Sequence, residues 1–216
     1  MNFDLIAFDW DGTLFDSTAL ISRSIQRAAV DLGFPEPSHR DASYVIGMTL
    51  HDGLVHAVPS MPKERYDDLV QRYRHHYFAT QHEIVLFDGT VEMLAALKAR
   101  HHWLSVATGK PRRGLNIALE QTQLTAMFDG SRCADETAGK PHPQMLLELM
   151  REFGAEPERT LMVGDTTHDL QMARNAGVPA VAVSFGAHDE AELRALEPLF
   201  IAHSMLELHG WLMEHA

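Results

Sequence analysis

Cysteine is nearly absent: the chain of 216 residues holds one, Cys133. A lone thiol can form neither an internal disulfide nor a zinc site built on cysteines alone. No sequence neighbour of Cys133 offers a base to activate it, so a structural thiol is expected. Long apolar runs are missing too. No stretch approaches the roughly 20 apolar residues needed to cross a bilayer. The opening Met1-Asn2-Phe3-Asp4 has neither the basic region nor the apolar run of a signal peptide, so a cytoplasmic protein is expected. Basic side chains are in deficit, 18 Lys and Arg against 30 Asp and Glu, giving a formal net charge of −12 with histidine neutral. A surface of that sign repels nucleic acid and anionic lipid, and neither is expected as a partner. It also repels phosphate esters, so any site for them must carry its own local cations, such as a metal and a lysine.

What is present is ordinary globular material. Hydrophobic residues make up 45% and charged residues 22%, which sets aside disordered and fibrous classes. The length suffices for one good core, or for a core with a small second unit. Histidine is plentiful at 14, with pairs at His75-His76 and His101-His102. Neither pair has zinc-type spacing, and adjacent residues on a helix face different ways, so both read as solvated.

Leu5-Ile6-Ala7-Phe8 is a short apolar run ending at acidic and glycine residues, the pattern of a buried parallel strand. Similar runs occur at Leu104–Ala107, Leu161–Val163 and Ala180–Val183, with a weaker one at Leu199–Ala202. Helical patterns lie between them: Thr90–Ala99, Pro111–Gln121, Pro143–Phe153 before Gly154, and Asp169–Ala176 before Gly177. Strand–helix alternation predicts an α/β fold, an open parallel sheet with helices on both faces. Residues 16–83 break the rhythm. They offer no buried strand, but Ser17 is placed to cap a helix through Leu32 and Pro62 to open another toward Tyr77. The expected organisation is a core of residues 1–15 and 84–216 with an all-helical insertion at 16–83.

Four separated pieces carry chemistry: Asp9-Trp10-Asp11-Gly12-Thr13-Leu14, Ala107-Thr108-Gly109-Lys110, Gly139-Lys140-Pro141 and Gly164-Asp165-Thr166-Thr167-His168-Asp169. Three follow a predicted strand directly and the third precedes a predicted helix. The carboxyl ends of neighbouring parallel strands share one crevice, so these pieces are gathered at one sheet edge. Clustered carboxylates cannot all stay ionised without a cation. Oxygen ligands select a hard ion, and Mg²⁺ suits a few carboxylates, waters and a phosphate. Thr108 and Lys140 are then free to hold phosphoryl oxygens, and Gly109 allows close backbone approach. Asp9 beside Asp11 makes a workable nucleophile and acid for covalent phosphoryl transfer. A nucleotide P-loop at Ala107–Lys110 is excluded: Leu104 stands where Gly is needed and Pro111 where Ser or Thr is needed.

In this order the four pieces resemble the haloacid dehalogenase superfamily of aspartate-nucleophile phosphatases. The 16–83 insertion is similar to the helical cap of its phosphoglycolate phosphatase-like branch, and the likeness covers nearly the whole chain. The resemblance implies that Asp9 is the nucleophile and a Mg²⁺ ligand. Asp11 would be the acid and then the base, lending its backbone carbonyl to the metal. Thr108, with the Gly109 N–H, would grip the phosphoryl group. Lys140 would neutralise charge on that group and on Asp9, Asp165 would bind the metal, and Asp169 would orient Lys140 or a metal-bound water. Two departures show. Position 109 is Gly where many relatives carry Asn, and Gly47-Met48-Thr49 stands where relatives often have Gly-x-Gly.

The implied function is hydrolysis of a small, phosphoglycolate-like phosphate monoester, the partner a small phosphorylated metabolite, the assembly a monomer or homodimer. A sugar-phosphate mutase would use the same residues. A phospho-accepting signalling domain also sets acids, a hydroxyl and a lysine around Mg²⁺, but is shorter and lacks a helical insertion. A dehalogenase would leave Asp11 and Asp165 without purpose, and a non-catalytic binding protein would not need Asp9 and Asp11 intact. A carboxylate on the substrate would want a cation from the insertion, for which Arg23 and Arg27, one helical turn apart, are candidates beside a plain solvated role.

Overall fold

The computed structural model describes residues 3–81 and 84–216. The apolar runs form strands β1 (Leu5–Phe8), β2 (Trp103–Thr108), β4 (Thr160–Gly164), β5 (Ala180–Val183) and β6 (Phe200–Ala202). One further strand, β3 (Gly130–Cys133), was not expected. All pair in parallel in the order β3-β2-β1-β4-β5-β6.

Every residue of β1 is buried because both faces of the sheet are covered. Side chains alternate between the faces. Ile6 and Phe8 pack with Leu94 and Leu97 of α5 (Thr90–Ala99) and with Leu115 of α6 (Arg112–Gln121). Leu208 and Leu212 of α10 (Met205–His215) complete that layer. Leu5 and Ala7 face Met145 and Leu149 of α7 (Gln144–Phe153) and Met172 of α8 (Thr167–Ala176). The short α9 (Glu190–Arg194) seats Leu193 against Ala182 at the sheet margin.

Between β1 and α5 the described residues form helices α1 (Thr18–Asp31), α2 (His39–Tyr44), α3 (Leu50–Ala57) and α4 (Tyr66–Thr80). They bury a core of their own, in which Ile25 and Ala28 of α1 meet Leu54, Leu69 and Tyr73. Helix α1 stops one residue before the expected Leu32, and the chain turns at Gly33, whose φ of +81° suits a residue without Cβ. The junction placed by the sequence at 83/84 adjoins residues 82 and 83, which lie outside the described residues.

Leu94 is fully buried between α5 and the sheet. Leu94→Ala should cost about 2–5 kcal/mol in urea unfolding. Leu206→Ala, at a side chain 81% exposed, should stay within about 0.5 kcal/mol of the parent.

Candidate active site

Strand register gathers the four sequence pieces. Phe8 lies beside Val106 on one side and Val163 on the other. The Asp9 N–H donates to the Val163 carbonyl at 2.9 Å, so the ladder runs one residue beyond β1. Asp9 therefore leaves the sheet level with Gly164-Asp165, and Thr108 ends the neighbouring β2. Chain order reverses at β1, with β2 to one side and β4 to the other, which makes this edge the switch-point crevice of an open α/β sheet.

Lys140 reaches into it from the loop before α7. Its Nζ lies 2.6 Å from Asp9 Oδ1 and 2.6 Å from Asp169 Oδ1, with all three side chains at most 1% exposed. Burial opposes the charge on Lys140, but Asp169 and Asp9 together outweigh it and raise its pKa. Asp169 sits at the third position of α8. Its Oδ2 accepts from the Thr166 N–H at 3.1 Å and its own N–H donates to Thr166 Oγ1 at 3.3 Å, a capping box, and the Thr166 hydroxyl donates to the same Oδ2 at 2.7 Å. Thr166 rather than Asp165 caps this helix, because Asp165 is engaged elsewhere. Its two oxygens accept from the Thr13 hydroxyl and the Ala187 N–H, both at 2.8 Å. Gly12 and Gly186 lie so close to the Asp165 carboxylate that a Cβ on either would collide with it.

Ligand oxygens of Asp9, Asp165 and Asp169 lie within 4.8 Å of one another, all buried. Burial first, then the neighbouring charges of Asp9 and Asp169, push Asp165 well above the usual carboxylate range. Burial likewise raises Asp9 to about 7 against the opposing pull of Lys140. Asp9 Oδ2 is buried with no hydrogen-bond partner. An unpartnered carboxylate oxygen among three acids and a single lysine fits a hard divalent cation, for which these three residues supply the side-chain donors. Asp169, expected to orient Lys140 or a metal-bound water, thus stands within the group of possible ligands. The Asp11 side chain stands outside it.

Asp11 is held on another side. The Ser17 hydroxyl, expected to cap α1, instead donates to Asp11 Oδ1 at 2.6 Å and makes no cap bond. Lys110 Nζ lies 3.0 Å from the same oxygen and donates to the Tyr77 hydroxyl of α4 at 3.0 Å. Sequence reasoning missed the place of Lys110 in the site, although its position directly after Thr108-Gly109 at the end of β2 was a usable signal. The departure at Gly109 also has a cause. A Cβ there would lie 2.5 Å from the Met48 carbonyl oxygen and 2.6 Å from that of Gly47, so the insertion's loop rests directly on this residue and leaves no room for Asn. On the far side the Tyr44 carbonyl accepts from His168 and His188, both at 2.9 Å. The insertion is closed over the site.

Asp9, Asp11, Thr108 and Gly109 line one cavity of about 130 Å³ between core and insertion. Arg23 and Arg27 do not line it; both are exposed on α1, the plain solvated role. Of the histidine pairs, His102 is buried rather than solvated, donating to the Phe3 carbonyl at 2.7 Å. Burial pushes the Cys133 thiol up to about 12, which suits a structural role.

Fold and site together define an open α/β protein with an acidic, lysine-bridged crevice roofed by a helical insertion. The family model for haloacid dehalogenase-like hydrolases matches residues 6–183, and the chain belongs to that family. It is 38% identical to "Probable phosphatase IndB" of Dickeya dadantii over 95% of this chain and 92% of that protein. It is 30% identical to the pyrophosphatase PpaX of Halalkalibacterium halodurans over 96% of each. A haloacid dehalogenase-like family hydrolase from Streptococcus pneumoniae superposes with a TM-score of 0.83 at 26% identity, covering 97% of this chain and 98% of the other. The sequence resemblance to this family is thereby borne out. No helix among the described residues is long and apolar enough to cross a membrane.

A carboxyl whose folded pKa lies above its unfolded value favours folding at low pH and loses that contribution as pH rises. Asp9 moves from 3.8 to about 7, so without a metal it should cost stability across that window. A cation on these carboxylates removes the cost. Mg²⁺ should therefore raise the melting temperature more at about pH 8 than at about pH 5, measured by calorimetry. An equal rise at both would contradict the assignment.

Proposed function

We propose that this chain is a Mg²⁺-dependent phosphatase that hydrolyses a small phosphate monoester through a phospho-aspartate on Asp9. The observation that carries this reading is Asp9 itself. One oxygen is fixed by Lys140, the other is buried without a partner, and the side chain faces the same cavity as Asp11 and Thr108. The phosphatase and pyrophosphatase named among its relatives support phosphoryl hydrolysis as the reaction class.

Asp9, Asp165 and Asp169, with the Asp11 backbone carbonyl, would hold the ion. Bound Mg²⁺ would screen the phosphoryl oxygens from the acidic site and stabilise the charge that develops on them. The remaining work belongs to the chain. Thr108 and the Gly109 N–H orient the phosphoryl group, and Lys140 offsets its negative charge. A carboxylate oxygen of Asp9 attacks phosphorus as the ester P–O bond breaks, and the leaving alkoxide takes a proton from Asp11. Water then attacks the phosphorus of phospho-Asp9, Asp11 takes its proton, and the Asp9 carboxylate is restored as phosphate leaves. Ser17 and Lys110 fix Asp11 for both transfers, and the closed insertion keeps bulk water out.

Asp9→Asn should abolish phosphate release while leaving the fold intact, because an amide is a poor nucleophile; unchanged kcat would sink the assignment. Asp11→Asn should slow hydrolysis of alkyl phosphates by about 10²–10⁴-fold and of p-nitrophenyl phosphate by less, since nitrophenolate needs no proton to leave. Equal losses for both esters would count against Asp11 as the acid.

A further inference from the structure

The cavity changes character with distance from the sheet. At the sheet end it presents Asp9, Asp11, Thr108 and Gly109. The wall supplied by the insertion is apolar, with Ile21, Ile25, Leu54 and Tyr73 each at most 9% exposed. Two cations touch the lining, Lys110 and Arg74. Lys110 is spent: its Nζ lies 3.0 Å from Asp11 Oδ1 and donates to Tyr77 at 3.0 Å. Arg74 is exposed at the mouth, where Gln81 and Gln121 also sit half-buried or exposed. Among the described residues the lining therefore holds no buried cation free to meet a second negative charge.

That distribution bears on what leaves phosphorus. A carboxylate or a second phosphate on the leaving group would be stripped of water against aliphatic side chains with no counter-charge, which is strongly unfavourable. An uncharged apolar group would gain from the same surface by burial. Size sets a limit of its own on the leaving group. A dry apolar cavity of about 150 Å³ accommodates one benzene ring, and here about 130 Å³ must take the phosphoryl group as well.

Resting on the phosphatase reading above, we propose that the preferred substrates are phosphate monoesters with a small, uncharged, apolar leaving group, selected by Ile21, Ile25, Leu54 and Tyr73. Carboxylated esters such as 2-phosphoglycolate, and inorganic pyrophosphate, are then poor substrates.

The test uses the full chain with Mg²⁺ and alkyl phosphates of similar leaving-group basicity, so that chemistry does not separate them. The probes are isobutyl phosphate and isopentyl phosphate against 2-phosphoglycolate and glycerol phosphate, with pyrophosphate alongside. The apolar esters should lead in kcat/KM by about 10-fold or more, mostly through KM. Ile21→Arg, which carries a cation into the wall, should narrow or reverse the ratio toward 2-phosphoglycolate. Ile117→Lys, at a half-buried lining position on the core, repeats the test should the first variant fold poorly. Turnover of 2-phosphoglycolate or pyrophosphate equal to or above the apolar esters overturns this inference and leaves the phosphatase reading standing. An apolar preference that neither folded variant alters overturns the assignment to this wall. Release of phosphate from none of the probes, or release that survives Asp9→Asn, overturns the phosphatase reading and this inference with it.

Discussion

The contact on which the site depends is Lys140 between Asp9 and Asp169, at 2.6 Å to each. Three carboxylates buried at one sheet edge repel one another, and a single lysine offsets part of that repulsion. Removing such a partner leaves uncompensated buried charge, commonly a loss of about 3–5 kcal/mol. The same arrangement makes one oxygen of Asp9 expensive to leave alone, which is what a hard cation or a phosphoryl group would relieve. Stability and reactivity meet in one cluster.

The backbone is arranged around that cluster rather than beside it. Asp9 and Asp165 stand at the ends of adjacent strands because β1 pairs with β4 in register. Gly12, with φ of +80°, turns the chain sharply after Asp11, and both Gly12 and Gly186 give the Asp165 carboxylate space no side chain could share. Ser17 spends its hydroxyl on Asp11 across the turn, and Thr13 spends its own on Asp165 just beyond β4. The insertion is then lowered onto the core through contacts of several kinds. The Gly47–Met48 backbone meets Gly109, the Tyr44 carbonyl meets two imidazoles, and Tyr77 meets Lys110. The insertion keeps a core of its own, separate from the core of the sheet.

Much of this was legible in the chain, and the exceptions have physical causes. Strands β1, β2, β4 and β5 read as apolar runs because both faces are covered, and the four motif pieces fall where those strands end. Strand β3 is Gly130-Ser131-Arg132-Cys133, an edge strand whose Arg132 pairs with Glu148 and Glu152 of α7, so no apolar run marks it. Helices α2 and α3 have six and eight residues, too few to display a period. Helix α10 carries a signal, Met205, Leu208 and Leu212 at helical spacing, but no motif beside it ties it to the rest of the pattern. The hydroxyl of Ser17 looked like a helix cap because sequence shows the start of a helix but not the acid folded back against it. Lys110 looked like part of a failed phosphate loop, since its partners lie at positions 11 and 77, far away in sequence.

The central claim is that Asp9 becomes phosphorylated. Rapid mixing of the Mg²⁺-loaded protein with a phosphate ester, acid quench within the first turnover and peptide mapping would test it most directly. The account predicts an acid-stable, hydroxylamine-labile phosphoryl group on the peptide bearing Asp9, appearing before free phosphate and decaying as phosphate is released. Phosphate released in that first turnover with no residue labelled at any time would contradict it.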